Sequence, residues 1–303
     1  MLADSMHWVI LSLISALFLG CYDLVNKHAV RVNAVLPVIF LGTISSACVW
    51  TMLLLAQRCF GVALPGFLIV PALTWHQHLL IVAKAAIVGG SWVFNYFGLK
   101  NLPLSLASPI RATGPLWTLL LAVLILTERP TAWQLAGVAT ALVSFIGLSW
   151  AGSQEGVHFH RNKWVGCMFT GTLLGTGSSL YDKYLLGHLH FAASTVQAWF
   201  TIYLVFVFLP LALGWKLRIW TRNEFHWRWS IPFIGLVLLV SDFAYFTALR
   251  DPQGLISVVA SVRRGSTLIA FLGGIWIFKE GNAWRKLPAV LGVMAGIILT
   301  MIG

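Results

Sequence analysis

Apolar stretches of about 20 residues recur along this chain from one end to the other, and that recurrence restricts the fold more than any motif. Inside a bilayer no water is available to the backbone, so each spanning segment must satisfy its own N–H and C=O groups. The stretches do not alternate apolar with polar residues, which argues against a β-barrel and for helices. The chain therefore reads as an all-α integral membrane protein. Ten spans are predicted, at roughly 7–27, 35–57, 76–98, 104–127, 131–150, 164–186, 192–215, 230–249, 254–278 and 284–302. Composition agrees: 59% of the 303 residues are hydrophobic and 10% are charged. A soluble domain carries about 25% charged residues. Trp75, Trp133, Trp164, Trp215, Trp229 and Trp284 lie near predicted span ends, where indole rings suit the interface.

The net charge of +11 would suggest nucleic acid in a soluble protein. Here most basic residues fall in short connections, where membrane surface and topology explain them, so no nucleic-acid partner is expected. The N-terminus lacks a basic n-region, and the first span reads as a retained helix. Cys21, Cys48, Cys59 and Cys167 have neither metal-site nor disulfide-framework spacing. Three His-x-His pairs (76/78, 158/160 and 188/190) lie at span ends or in loops. Neither a metal nor another cofactor is expected.

The halves repeat. Ser91, Leu99, Lys100 and Asn101 correspond to Ser241, Leu249, Arg250 and Asp251. Arg111, Ile125, Glu128, Leu135 and Val138 correspond to Arg263, Ile277, Glu280, Leu287 and Val290, and Asn26-Lys27 answers Asp182-Lys183. The expected organisation is a first five-helix repeat over 1–150, a connecting loop over 151–163 and a second repeat over 164–303. An odd number of spans per half makes the second copy enter the membrane from the opposite side. Such inverted repeats alternate access to a site near the midplane in transporters.

Charges inside a span cost about 2.5–3.5 kcal/mol each on insertion scales, so they face cavities or partners. Lys84, Arg111, Arg263 and Arg264 lie within spans, with Asp242 as the internal acid. That leaves an excess of three positive charges and favours an anion. Arginine forks suit carboxylate or phosphate. Arg263 is rotated about 100° from Arg264, so one is expected to line a cavity while the other pairs with Asp242 or caps the rim. Helical spacing puts Lys84, Ser91 and Asn95 on one face of span three, and Ser108, Arg111 and Thr118 on one face of span four. In span nine, Ser257, Ser261, Arg264 and Thr267 form a stripe. Span one offers Ser12, Ser15, Tyr22 and Asn26; span six Thr172, Thr176, Ser179 and Lys183; span eight Asp242 and Tyr245. A central polar cavity between these six spans is the economical reading. Arg111, Arg263, Arg264, Lys84, Asn95 and Tyr245 are the candidate substrate residues, and Asp242 the candidate for coupling or charge balance. Tyr22, Lys27, Asp182 and Lys183 are candidate gates; Asp23, Lys27, Asp182 and Lys183 lie toward span ends, where they could snorkel. Gly171/Gly175 and Gly292/Gly296 are spaced for close helix contact within the bundle.

The segments Gly114-Pro-Leu-Trp-Thr through Leu126-Thr-Glu-Arg-Pro-Thr, Gln134-Leu-Ala-Gly-Val and Phe278-Lys-Glu-Gly-Asn resemble the drug/metabolite transporter superfamily, specifically its EamA-type ten-helix members. The resemblance implies a 5+5 inverted repeat, a central cavity and alternating access. Arg111 and the Arg263-Arg264 pair also resemble the basic positions that clamp phosphate in the plastid phosphate-sugar translocators. The expected function is thus a secondary transporter of a small organic anion or metabolite, phosphorylated or not, working by alternating access, and not an enzyme. An exporter of amino acids or drug-like amphiphiles and a lipid-phosphate flippase are the alternatives. The partners implied are a small anionic substrate and the lipid bilayer of a bacterial inner membrane, with the chain a monomer or homodimer. Orientation is in conflict. Odd connections hold Lys27, Arg31, Lys100, Arg161, Lys163, Lys216, Arg218, Arg222, Arg228, Lys279, Arg285 and Lys286, against Arg58, Arg129, Lys183 and Arg250 at even ones. That bias puts both termini outside, whereas the resemblance implies both in the cytoplasm.

Overall fold

A computed structural model describes residues 7–114, 116–117, 131–154, 156–219, 223–250, 259, 262–281 and 283–302. Ten α-helices lie among them: α1 His7–Val30, α2 Val35–Cys59, α3 Trp75–Asn101, α4 Leu104–Ala112, α5 Ala132–Ser153, α6 Lys163–Lys183, α7 Ala193–Lys216, α8 Ser230–Arg250, α9 Ser266–Trp276 and α10 Ala283–Ile302. Eight fall within a few residues of a predicted span; α4 and α9 cover the start of the predicted span 104–127 and the end of the predicted span 254–278, the remainder of which lies largely outside the described residues. By length and composition α1, α2, α3, α5, α7 and α8 can each cross a membrane. The outward faces carry Met52, Val143, Ile146 and Trp276, all mostly exposed, as lipid-facing surfaces require. Trp75, Trp133, Trp229 and Trp284 are exposed at helix starts.

Local signals explain the boundaries. Thr74 and Thr131 form capping boxes with Gln77 and Gln134, so α3 and α5 begin with the same device. The turn between α1 and α2 is tied down by Asn33, which donates to the carbonyls of Ala29 at 3.0 Å and His226 at 2.8 Å. Its Oδ1 accepts from the His226 amide at 2.9 Å, joining this turn to the chain before α8.

Helix pairing is symmetric. α1 packs on α8 as α3 packs on α6; α1 packs on α9 as α4 packs on α6; α2 packs on α8 as α3 packs on α7. α2 with α7, α4 with α9 and α5 with α10 pair across the halves. Exchanging α1–α5 for α6–α10 maps these pairs onto themselves, as two five-helix copies related by a two-fold operation require. Small residues make the close contacts. A Cβ at Gly171 would stand 2.7 Å from the Asn95 side chain, and one at Gly296 would stand 2.7 Å from the Gly137 carbonyl. Both glycine pairs therefore serve packing inside the bundle, α6 on α3 and α10 on α5.

Several end-of-span charges are not at the surface. Lys27 is 7% exposed and donates to the Leu99 and Leu102 carbonyls at 2.7 and 2.5 Å. It closes the C-terminus of α3 instead of snorkelling, because α1 crosses beside that end and the orphan carbonyls there need donors. Lys286, expected in a connection, is fully buried and donates to Ser105 Oγ at 2.9 Å. Glu280 accepts from the amides of Leu104 and Ser105 at 2.6 and 2.9 Å and caps α4.

Candidate functional site

The helices enclose a central cavity of about 200 Å³. Tyr22 and Asn26 enter it from α1; Ser91, Trp92, Asn95 and Tyr96 from α3; Ser108 and Arg111 from α4. Thr172, Gly175, Thr176 and Ser179 line it from α6, Asp242 and Tyr245 from α8, and Arg263 and Arg264 from the residues leading into α9. These are the six spans that the polar faces single out. Ser257, Ser261 and Thr118, and the side chain of Lys183, lie outside the described residues.

The cations are more fully paired than the sequence suggests. Arg111 donates to the fully buried Asp23 carboxylate across α1 and α4. Lys84 donates to Asp182 across α3 and α6. Arg263 donates to Asp242 at 2.5 Å, and its guanidinium carbon lies 4.0 Å above the Tyr245 ring. Asp242 is thus not the sole internal acid: Asp23 is fully buried and Asp182 is 6% exposed. Three of the four cations named from the sequence thus have a carboxylate partner, and Arg264 alone of the four has none among the described residues. The discrepancy arises because residues near helix ends look like interfacial ones in sequence, whereas crossing helices bury them here.

Lys84 does not line the central cavity. It lies in a neighbouring recess of about 120 Å³ between the Phe200 and Phe246 rings, 4.7 and 5.3 Å from their centroids. Asp182, a candidate gate, is its partner. Tyr22, another, donates its hydroxyl to that of Tyr96 at 3.1 Å. Lys27, a third candidate gate, is held by the carbonyls at the end of α3.

Arg264 differs from the rest. Among the described residues no carboxylate forms a salt bridge with it, and its buried Nε has no acceptor. Its guanidinium reaches toward Gly114, where a Cβ would stand 2.9 Å from one terminal nitrogen. Thr176 Oγ1 donates to the Gly114 carbonyl at 3.3 Å beside it. Among the described residues Asn26 Oδ1, Asn95 Oδ1 and Ser108 Oγ are also buried in the cavity wall without partners. Unmade hydrogen bonds at buried groups cost about 1–3 kcal/mol each, so such groups gathered on one cavity mark a place for polar occupants.

Trp92, Tyr96 and Gly114 are wall residues that the polar stripes did not name. Trp92 and Tyr96 continue the Ser91–Asn95 face at helical spacing, but as aromatics they merge with the apolar background. Gly114 carries no side chain to signal its role.

Residues 6–150 match the EamA-like transporter family. No curated protein matches by sequence. Solved structures do match. One, described only as a crystal structure of a protein, is 12% identical and superposes with a TM-score of 0.61 over 96% of each chain. That likeness extends to the fold, and neither match bears on the plastid translocators. Over residues 6–150 the chain is thus similar to the EamA-like transporter family, and its apolar helices make it an integral, multi-pass membrane protein.

Proposed function

We propose that this protein is a secondary transporter that moves a small organic anion by alternating access, with Arg264 as the residue that holds it. The observation that carries this reading is the state of Arg264, which faces the central cavity with no carboxylate among the described residues to neutralise it. The halves 1–150 and 164–303 would exchange conformations about this cavity.

A single cation of the cavity wall without a salt bridge among the described residues narrows the substrate. A monoanion such as a carboxylate brings the cavity to neutrality, whereas the second charge of a phosphate monoester overshoots it. Buried charge without compensation is costly, which favours the carboxylate. Export of amino acids or amphiphilic amines bearing a carboxylate is the second reading. The unpartnered acceptors Asn26 Oδ1 and Asn95 Oδ1 favour it, since an ammonium group would satisfy them.

The test is uptake into proteoliposomes of radiolabelled carboxylates and phosphorylated metabolites. A charge-assisted hydrogen bond contributes about 1.5–3 kcal/mol, so Arg264→Ala is expected to lower transport roughly 10- to 100-fold. Unchanged transport in that variant refutes the reading.

A further inference from the structure

Beside the central cavity lies a second arrangement that anion binding at Arg264 does not use. Lys84 on α3, Asp182 on α6, Asp242 on α8 and Arg263 before α9 all face the recess of about 120 Å³. They form two ion pairs, Lys84–Asp182 and Arg263–Asp242. Each carboxylate thus has one cation, but the two carboxylates look into one small space. Two acids that share one small space act on one another and exchange protons as a unit, not as separate groups. The neighbouring groups are Tyr245 on α8, whose ring lies under Arg263, and the Phe200 and Phe246 rings that flank Lys84. Arg264 faces the adjoining central cavity.

Two further features separate this recess from the rest of the molecule. Its walls are shared: Asp242 and Arg263 line both it and the central cavity. A charge change there is felt by an anion next door. Asp182 also stands at the end of α6, where the chain passes directly into a turn of π-helix, Tyr184–His188. Such wide turns are uncommon and cluster at functional sites. Among the described residues the buried pair of the first half, Asp23–Arg111, includes one carboxylate.

We propose that Asp182 and Asp242, with Lys84 and Arg263, form the proton-coupling centre of the transporter. One proton from the aqueous side adds to one carboxylate of the pair and converts it to a carboxylic acid; no other bond changes. The cluster then carries one more positive charge, and a monoanion at Arg264 restores neutrality. Proton and anion therefore favour each other's binding, and reciprocity makes the effect equal in both directions. Transport by this scheme is electroneutral co-transport of one proton with one monoanion. The linkage rests on the anion reading above, while the proton centre does not.

Infrared difference spectra of the protein in phosphatidylcholine–phosphatidylglycerol bilayers, between mildly alkaline and mildly acidic buffer, test the centre without substrate. The wild type is expected to gain a carboxylic-acid carbonyl band that is lost in Asp182→Asn/Asp242→Asn. Asp182→Asn alone leaves Lys84 unpaired, so Lys84→Gln/Asp182→Asn is the folded comparison, expected to shift the titration of the band. A band unchanged in every variant overturns the proposal. Pyranine-loaded vesicles given pyruvate or inorganic phosphate then test the linkage, with proton entry expected alongside pyruvate. A wild type that transports pyruvate without moving protons overturns the coupling. A band behaving as expected while neither probe moves supports the centre and counts against the anion reading.

Discussion

Arg263 and Arg264 are consecutive, yet they keep different company: Arg263 donates to Asp242 at 2.5 Å, whereas Arg264 turns toward Gly114 with no salt bridge among the described residues. Successive residues of a helix differ by about 100° in direction, so one backbone segment serves both the charge-balanced wall and the open cavity. Exchanging Arg264 for Lys keeps the charge and removes the planar fork. Arg264→Lys is expected to retain more transport than Arg264→Ala, with the loss appearing in KM. Concentration-dependent uptake of radiolabelled pyruvate measures the difference.

Gly114 sets the position of that guanidinium. Adding a Cβ there brings it to 2.9 Å from an Arg264 nitrogen and 3.3 Å from Thr176 Oγ1. The arginine tip is the part free to move, so the fold should survive Gly114→Ala while the guanidinium is displaced. A rise of several-fold in KM with little change in thermal stability is expected; an unchanged KM would show that Arg264 tolerates the shift.

The Asp23–Arg111 pair is buried on the acid's side and spans α1 and α4. Removing one member of a buried pair leaves the other uncompensated, at about 3–5 kcal/mol, whereas replacing both by apolar groups is often close to neutral. Asp23→Leu should therefore lower the denaturation midpoint strongly, and Asp23→Leu/Arg111→Met should recover most of it. Denaturant unfolding of the four proteins in the cycle separates the pair's coupling from the single losses.

Gly235 sits where α8 presses on α2. A Cβ there would fall on the Ser45 hydroxyl and on the Gly42 carbonyl, and the carbonyl cannot retreat without moving α2. Overpacking typically costs about 1–3 kcal/mol. Gly235→Ala should lower the melting temperature accordingly, while Gly166→Ala, where a Cβ meets nothing within 4 Å, should not.

Glu280 caps α4 by accepting two amides. Loss of an N-terminal cap costs about 0.5–2 kcal/mol. Glu280→Ala should destabilise by that order, and Glu280→Gln, which keeps an acceptor oxygen, by less. Thermal unfolding in detergent compares the two.

Much of this architecture was legible in the linear chain. The ten spans follow from runs of apolar residues, because a bilayer demands a fixed length of self-satisfied backbone. The polar stripes of spans one, three, four, six, eight and nine picked out the six helices that line the cavity, since helical periodicity assigns a direction to each residue. The pairing of Asp242 with an arginine was likewise expected from the rotation between Arg263 and Arg264.

Which charges remain uncompensated was decided only by tertiary packing. Asp23, Lys27, Asp182 and Lys286 all lie where a sequence places interfacial groups, yet each is buried. Depth along one helix can be counted in residues, but burial depends on which neighbour crosses at that depth. Arg111 finds Asp23 and Lys84 finds Asp182 through contacts 88 and 98 residues apart in the chain. The sequence alone established a bundle of membrane helices carrying a few internal charges. The crossing of those helices paired three of the four cations named from the sequence and left Arg264 without a salt bridge among the described residues, because a carboxylate's partner is set by distance in space and not along the chain.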